Sequence, residues 1–178
     1  MVMDIDRIIG KDIVSSDATI LGIVTDIRCE DLKWNILGLK VRTKVSGLNI
    51  RGYALLEPGV FTFGDVILIS DTMDTVRSKM TPDDKGIMSL SSMIGMKVYA
   101  SDASLLGTVD SIDIDVKKWK AVSFTVKMDR SAYPVLEVRK GLVPKRISGL
   151  KMSDIKGVSD TIVLGSDTSK VKSQTVIS

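Results

Sequence analysis

Ile9-Gly10, Ser16-Asp17-Ala18, Leu21-Gly22, Val24, Ile27, Lys33-Trp34 and Val41 return 85 residues later. Their counterparts are Ile94-Gly95, Ser101-Asp102-Ala103, Leu106-Gly107, Val109, Ile112, Lys118-Trp119 and Val126. The two stretches, 9–41 and 94–126, align without a gap, and 12 of their 33 pairs are identical. Ordinary residue frequencies would give roughly two. A period this long marks a duplicated domain, since solenoid units repeat every 20–50 residues or so. The 178 residues therefore read as two linked copies of one small domain. The expected boundaries are 1–70 for the first copy, 71–89 for a linker, 90–165 for the second copy and 166–178 for a frayed tail.

Within each copy the apolar residues alternate. Ile112, Ile114 and Val116 alternate with Asp113, Asp115 and Lys117; Val122, Phe124, Val126 and Met128 alternate with Ser123, Thr125 and Lys127. Ile27 and Cys29, then Leu37, Leu39 and Val41, do the same in the first copy. A period of two predicts half-buried strands. The polar stretches between them, Asp31–Asn35 and Lys117–Lys120, predict hairpin turns. Asp17-Ala18-Thr19 and Asp102-Ala103-Ser104 predict an earlier turn. Gly22 and Gly107, inside strand patterns, predict a bend of the kind a small barrel needs at its corners. A last apolar strand closes each copy, at Asp65–Ile69 and Asp160–Leu164, and the second copy carries about ten more residues before it. Helical signal is confined to single turns before Gly10 and Gly95 and at Met152–Ile155. Ser70–Met88, with Thr81-Pro82-Asp83-Asp84-Lys85-Gly86, has the turn-rich composition of a linker. Ser166–Ser178 is rich in Ser, Thr and Lys.

Composition limits the chemistry. Hydrophobic residues make up 44% and charged residues 26%, as in a folded domain. No apolar run approaches the 18–20 residues or so that cross a bilayer, and Met1–Asp6 lacks a signal-peptide pattern. A single cysteine, Cys29, excludes an internal disulfide and fits a reducing cytoplasm; its alternation with Arg28 and Glu30 marks it as a small core residue. There is no histidine, so the commonest general base and metal ligand is missing. Phosphate loops, dinucleotide fingerprints and zinc-protease motifs are absent too. The expectation is a protein that is not an enzyme and holds no cofactor or metal. Charge is uneven: residues 1–90 sum to −2 and residues 91–178 to +5, which suggests different neighbours for the two copies or simple drift of a solvated surface.

One copy thus runs Ile-Gly, polar turn, Leu-Gly-x-Val, an acidic strand end, a basic hairpin turn, an alternating strand and a closing Asp-x-Ile/Val strand. This resembles the PRC-barrel, a small β-barrel also present in the photosynthetic reaction-centre H subunit and the ribosome-maturation factor RimM. The resemblance covers residues 5–70 and 90–165, and departs most from the family pattern in Val45–Gly64. It implies an all-β fold of two PRC-type barrels in tandem. It is closest in kind to stand-alone archaeal PRC-barrel proteins, some of which act in cell division by binding SepF, the membrane anchor of FtsZ. The implied role is an adaptor for SepF or another PRC-barrel protein, with self-association as a further option, recruited to the division site without inserting in the membrane. The alternative is an RNA- or ribosome-associated factor, as RimM is.

Trp34 and Trp119 occupy one repeat position. If the pleat runs unbroken from Leu37, Leu39 and Val41, Trp34 has the opposite parity and faces outward, and the same count turns Trp119 outward. Such a pair, with Lys33 and Lys118, makes a candidate protein interface. The competing reading is a bulge that folds each Trp over the barrel end, or packing of one barrel on the other. Lys117, Lys118 and Lys120 around Trp119 imitate a nucleic-acid platform but suit a solvated turn. Lys140, Lys145, Arg146, Lys151 and Lys156 form a candidate basic patch for phosphates or an acidic partner, with nucleic acid the less favoured of the two. Asp17 and Asp102 are expected to be turn residues, and Asp113 with Asp115 lacks the further ligands a calcium site needs.

Overall fold

The computed structural model describes residues 1–43, 53–82 and 87–178. Residues 45–52 of the divergent Val45–Gly64 stretch, and 83–86 of the Pro-Asp-Asp turn, lie outside the described residues. The chain divides into two compact units. The first comprises Met1–Asp31, Asn35–Ser91 and Asp115–Lys120; the second comprises Leu32–Trp34, Ser92–Ile114 and Ala121–Ser178. Each is described in turn.

The first unit is built from β1 (Val2–Asp4), β2 (Asp12–Val14), β3 (Ile20–Cys29), β4 (Ile36–Thr43), β5 (Tyr53–Leu56), β6 (Phe61–Phe63) and β7 (Ile67–Ile69). There follow α1 (Met73–Ser78), β8 (Met80–Pro82) and β9 (Met88–Ser89). Seven strands lie in the order β6-β7-β2-β3-β4-β5-β8, and β9 pairs with β3. The closing strand β7 runs parallel to β2, with Ile13 opposite Ile67; the other pairings are antiparallel. Leu21, Val24, Ile27, Leu39 and Val41 lie in the core, all fully buried with Ile13 and Ile67; alternation accounts for the pair on β4, while on β3 a register shift between Val24 and Asp26 lets Val24 and Ile27 share a face.

The second unit repeats that plan with β10 (Lys97–Tyr99), β11 (Leu105–Asp115), β12 (Lys120–Met128), α2 (Ala132–Val135) and β13 (Arg146–Lys151). After these come β14 (Ile155–Val158), β15 (Ile162–Leu164), α3 (Thr168–Gln174) and β16 (Val176–Ile177). The strand path is β14-β15-β10-β11-β12-β13-β16, and β15 runs parallel to β10 with Val98 opposite Ile162. Leu106, Ile112, Phe124 and Val126 fill the core at positions 85 residues after Leu21, Ile27, Leu39 and Val41.

The same backbone bonds recur at the same offset. Gly10 N–H donates to the Val24 carbonyl and Gly95 N–H to that of Val109, each at 2.8 Å. Ser15 N–H reaches Thr19 and Ala100 N–H reaches Ser104, each at 3.0 Å, closing turns in which Ala18 and Ala103 are left-handed (φ 61° and 64°). The glycine bends have a single cause. A Cβ on Gly22 would lie 2.9 Å from the Arg42 carbonyl carbon and the Thr43 Cα. One on Gly107 would lie 2.8 Å from the Lys127 carbonyl carbon and 2.9 Å from Asp129 N. Only glycine lets the two backbones approach this closely.

Three expectations change. Neither strand path closes into a barrel: among the described residues β6 does not pair with β8, nor β14 with β16. Those end strands are two to four residues long, too short to carry a ladder around the remaining gap. The stretch read as a linker holds α1, β8 and β9, because Met73, Val76 and Met80 are buried and β8 extends the sheet beside β5. The stretch read as a frayed tail holds α3, capped by Asp167 and anchored by the buried Val171, and then β16, which pairs with β13. The single turns expected before Gly10 and Gly95 and at Met152 are present as 3₁₀ turns at Ile5–Arg7, Ser91–Met93 and Met152–Asp154. No described helix is long and apolar enough to cross a membrane.

Candidate functional site

Trp34 is in the interior, not on an outward face: it is 2% exposed. The parity argument fails because the pleat is broken. Cys29 pairs with Ile36 but Arg28 pairs with Gly38, so Leu37 is an extra residue on β4 and turns outward, 38% exposed. One inserted residue exchanges the faces of everything before it. Trp34 also takes a left-handed backbone (φ 65°), which folds its ring inward. Its carbonyl accepts from Ala121 N–H at 2.9 Å, while its buried indole N–H has no partner among the described residues.

Trp119 shares the left-handed backbone (φ 49°) and is half-buried. Its indole N–H donates to the Gly59 carbonyl at 3.0 Å, and its ring meets Phe61 edge-on at 5.3 Å and Phe63 at 6.3 Å. Edge-to-face packing of this kind fixes a ring in place. Lys33 and Lys118 are exposed. The structure thus gives Trp34 and Trp119 packing roles, while the two lysines beside them are exposed.

The carboxylates are engaged locally. Asp115 accepts from Lys117 and Lys118 N–H at the hairpin turn, and Asp113 accepts from the Ser123 hydroxyl at 3.0 Å. Among the described residues no three His, Cys, Asp or Glu side chains gather as metal ligands. Asp17 and Asp102 do more than close a turn. Asp17 accepts from the Ser15 hydroxyl and from Met73 N–H at the start of α1. Asp102 accepts from Thr168 N–H (3.1 Å) and hydroxyl (2.7 Å) at the start of α3. Those two bonds, the hydroxyl first, hold the Asp102 carboxyl down at about 2.

Sequence reasoning missed Asp26. It is 7% exposed and accepts from Ile27 N–H, Ser91 N–H and the Ser91 hydroxyl, with Arg28 ion-paired at 3.1 Å. Nearby Cys29 is fully buried, as expected of a core residue, and burial pushes its thiol up to about 12, with Asp26 and Asp31 adding to the rise.

The five expected basic residues do not make one patch. Arg146 is ion-paired to Asp110 at 2.6 Å. Lys145 N–H donates to the Tyr133 hydroxyl at 2.9 Å. Lys151 lines a cleft of about 240 Å³ and Lys156 stands exposed apart from it. Of the five, Lys140 alone lines a cleft of about 560 Å³ in the second unit. There it meets two cations the basic run did not include, Lys127 at the end of β12 and Arg130 just after it, around Tyr133, Leu142 and Pro144. Asp129, the one carboxylate lining this cleft, is held below its usual range by the Ser131 hydroxyl and N–H, with Lys97 and Arg130 assisting.

Residues 85–169 match the PRC-barrel domain family. No curated protein matches the chain. The PRC-barrel match takes in β10 through β15 and every residue lining the larger cleft. The site is therefore carried by the PRC-barrel region itself, in the connection between β12 and β13. There α2 turns Tyr133 inward (6% exposed) and the chain then runs out through Leu142 and Val143.

Proposed function

We propose that the chain is a tandem PRC-barrel protein, with residues 1–70 a second, diverged copy of the matched domain, and that it acts as a non-enzymatic adaptor for protein partners. The duplication is supported by the 85-residue offset of identical residues and by the recurrence of the same backbone bonds at that offset. A non-enzymatic role is supported by the lack of histidine and by a lone thiol that is buried and held protonated.

The observation that carries the adaptor reading is the cleft. It sets three cations beside Leu142 and Val143, which are 105% and 69% exposed. A surface that leaves two aliphatic side chains bare beside a net positive charge is suited to burying them against another protein. Within this reading the proposed partner is SepF and the proposed place is the cytoplasmic side of an archaeal division site, both by family resemblance.

The test is titration of purified SepF, and separately of ribosomal particles, into the purified full chain by calorimetry. Saturable SepF binding that survives nuclease treatment sustains the adaptor. Binding confined to ribosomal particles, and abolished by nuclease, transfers the function to the RimM-like alternative.

A further inference from the structure

We infer that the 560 Å³ cleft binds an acidic peptide segment that carries an aliphatic anchor; this deepens the adaptor reading and rests on it. The charge in the cleft is only partly compensated. Lys127, Arg130 and Lys140 face one described carboxylate, Asp129, which accepts from Ser131 and feels the Arg130 charge without forming a close ion pair with any of the three. Residues 91–178 sum to +5, so the long-range field favours an anionic partner as well.

The rest of the lining selects among anions. Leu142 and Pro144 offer aliphatic surface in the lining, and Val143 between them in the chain is exposed as well. The cleft's one aromatic, Tyr133, is 6% exposed and its hydroxyl accepts from Lys145 N–H, so no ring face is open for a base to stack on. Single-stranded nucleic acid is held by stacking on exposed rings as much as by cations. Cations without such rings, beside bare aliphatic groups, match a peptide alternating carboxylates with leucine-like side chains. Its carboxylates would sit over Lys127, Arg130 and Lys140 while its aliphatic side chain buries Leu142.

Fluorescence anisotropy tests this with the full chain and a fluorescein-labelled peptide alternating Glu, Leu and Asp. Two further probes are the same peptide with Leu replaced by Ser, and labelled polyuridine. The wild type binds the Leu-containing peptide saturably and more tightly than either control. A Lys127→Glu, Lys140→Glu double variant loses on the order of tenfold in affinity, as two reversed exposed contacts should give. Leu142→Ser reduces the preference for the Leu peptide over the Ser peptide. Lys156→Glu, outside the cleft, leaves binding within about twofold. All four changed side chains are exposed, and unchanged thermal unfolding confirms that each variant folds. Absence of peptide binding, equal binding by the double variant, or tighter binding of polyuridine overturns the inference. SepF binding that persists in the double variant also overturns it while leaving the adaptor reading intact; failure of SepF to bind the wild type counts against that reading instead.

Discussion

The first and second repeats share a backbone and differ in what they have attached to it. From Ile9 to Val41 and Ile94 to Val126 they match without a gap, down to the left-handed φ of Trp34 and Trp119. Beyond that stretch they part. β7 and β15 start 95 residues apart where β2 and β10, and β3 and β11, start 85 apart, so the second repeat is ten residues longer ahead of its closing strand. The cationic cleft lies on that longer connection, and the PRC-barrel match falls on that repeat. The shared scaffold rests on local backbone bonds and on glycines that the facing backbone requires, and the two stretches differ where a connection can lengthen without disturbing a ladder.

The largest expected effects probe the shared scaffold. Phe124→Ala should cost about 3–5 kcal/mol and its counterpart Leu39→Ala about 2–5, since both side chains are fully buried. Urea unfolding read by circular dichroism compares them. A cost below about 1 kcal/mol at either would break the equivalence of the two cores.

Next come the paired glycines. Gly22→Ala and Gly107→Ala should each lower stability by about 1–3 kcal/mol, because the added Cβ overlaps the facing backbone. If one is destabilising and the other neutral, the close approach serves only one repeat.

Smaller again is the effect of acid. Asp102 has a folded pKa of about 2 against an ordinary 3.8. Its contribution is therefore fully present above the ordinary value and is lost as pH falls through about 2. Amide protection across α3, corrected for the intrinsic pH dependence of exchange, should weaken as pH drops from about 4 toward 2, and Asp102→Asn should lower it already at neutral pH with no such further dependence. Asp17, also lowered, with the Ser15 hydroxyl as its main cause, should protect α1 in the same sense. Equal exchange in wild type and Asp102→Asn would show that Thr168 does not depend on this carboxylate.

Least disruptive is a spectroscopic comparison of the two tryptophans. In Trp119→Phe the remaining Trp34 should emit to the blue and resist acrylamide. In Trp34→Phe the half-buried Trp119 should be quenched more readily. Similar quenching of both would contradict their different burial.

Much of this architecture was legible in the sequence. Alternation gave the long strands β3, β4, β11 and β12, and Leu-Gly marked the close approach of backbones. What stayed hidden depended on single residues or on distant ones. The Leu37 bulge leaves no pattern in composition, yet it reverses the face of Trp34. α3 has the composition of a tail because one buried side chain, Val171, suffices to dock so short a helix among polar neighbours. Barrel closure depends on end-strand pairing, which residue alternation cannot report. The cleft leaves no pattern in the sequence because Lys127 reads as the solvent side of a strand, and only the turn after Met128 brings it together with Arg130 and Lys140.

Whether binding belongs to the cleft or to the hairpin tryptophans is decided by measuring the acidic Leu peptide against two variants side by side. The Lys127→Glu, Lys140→Glu variant should lose on the order of tenfold in affinity, while Trp119→Phe stays within about twofold of wild type. Loss with Trp119→Phe and none with the charge reversal would contradict the account and return the interface to the hairpin.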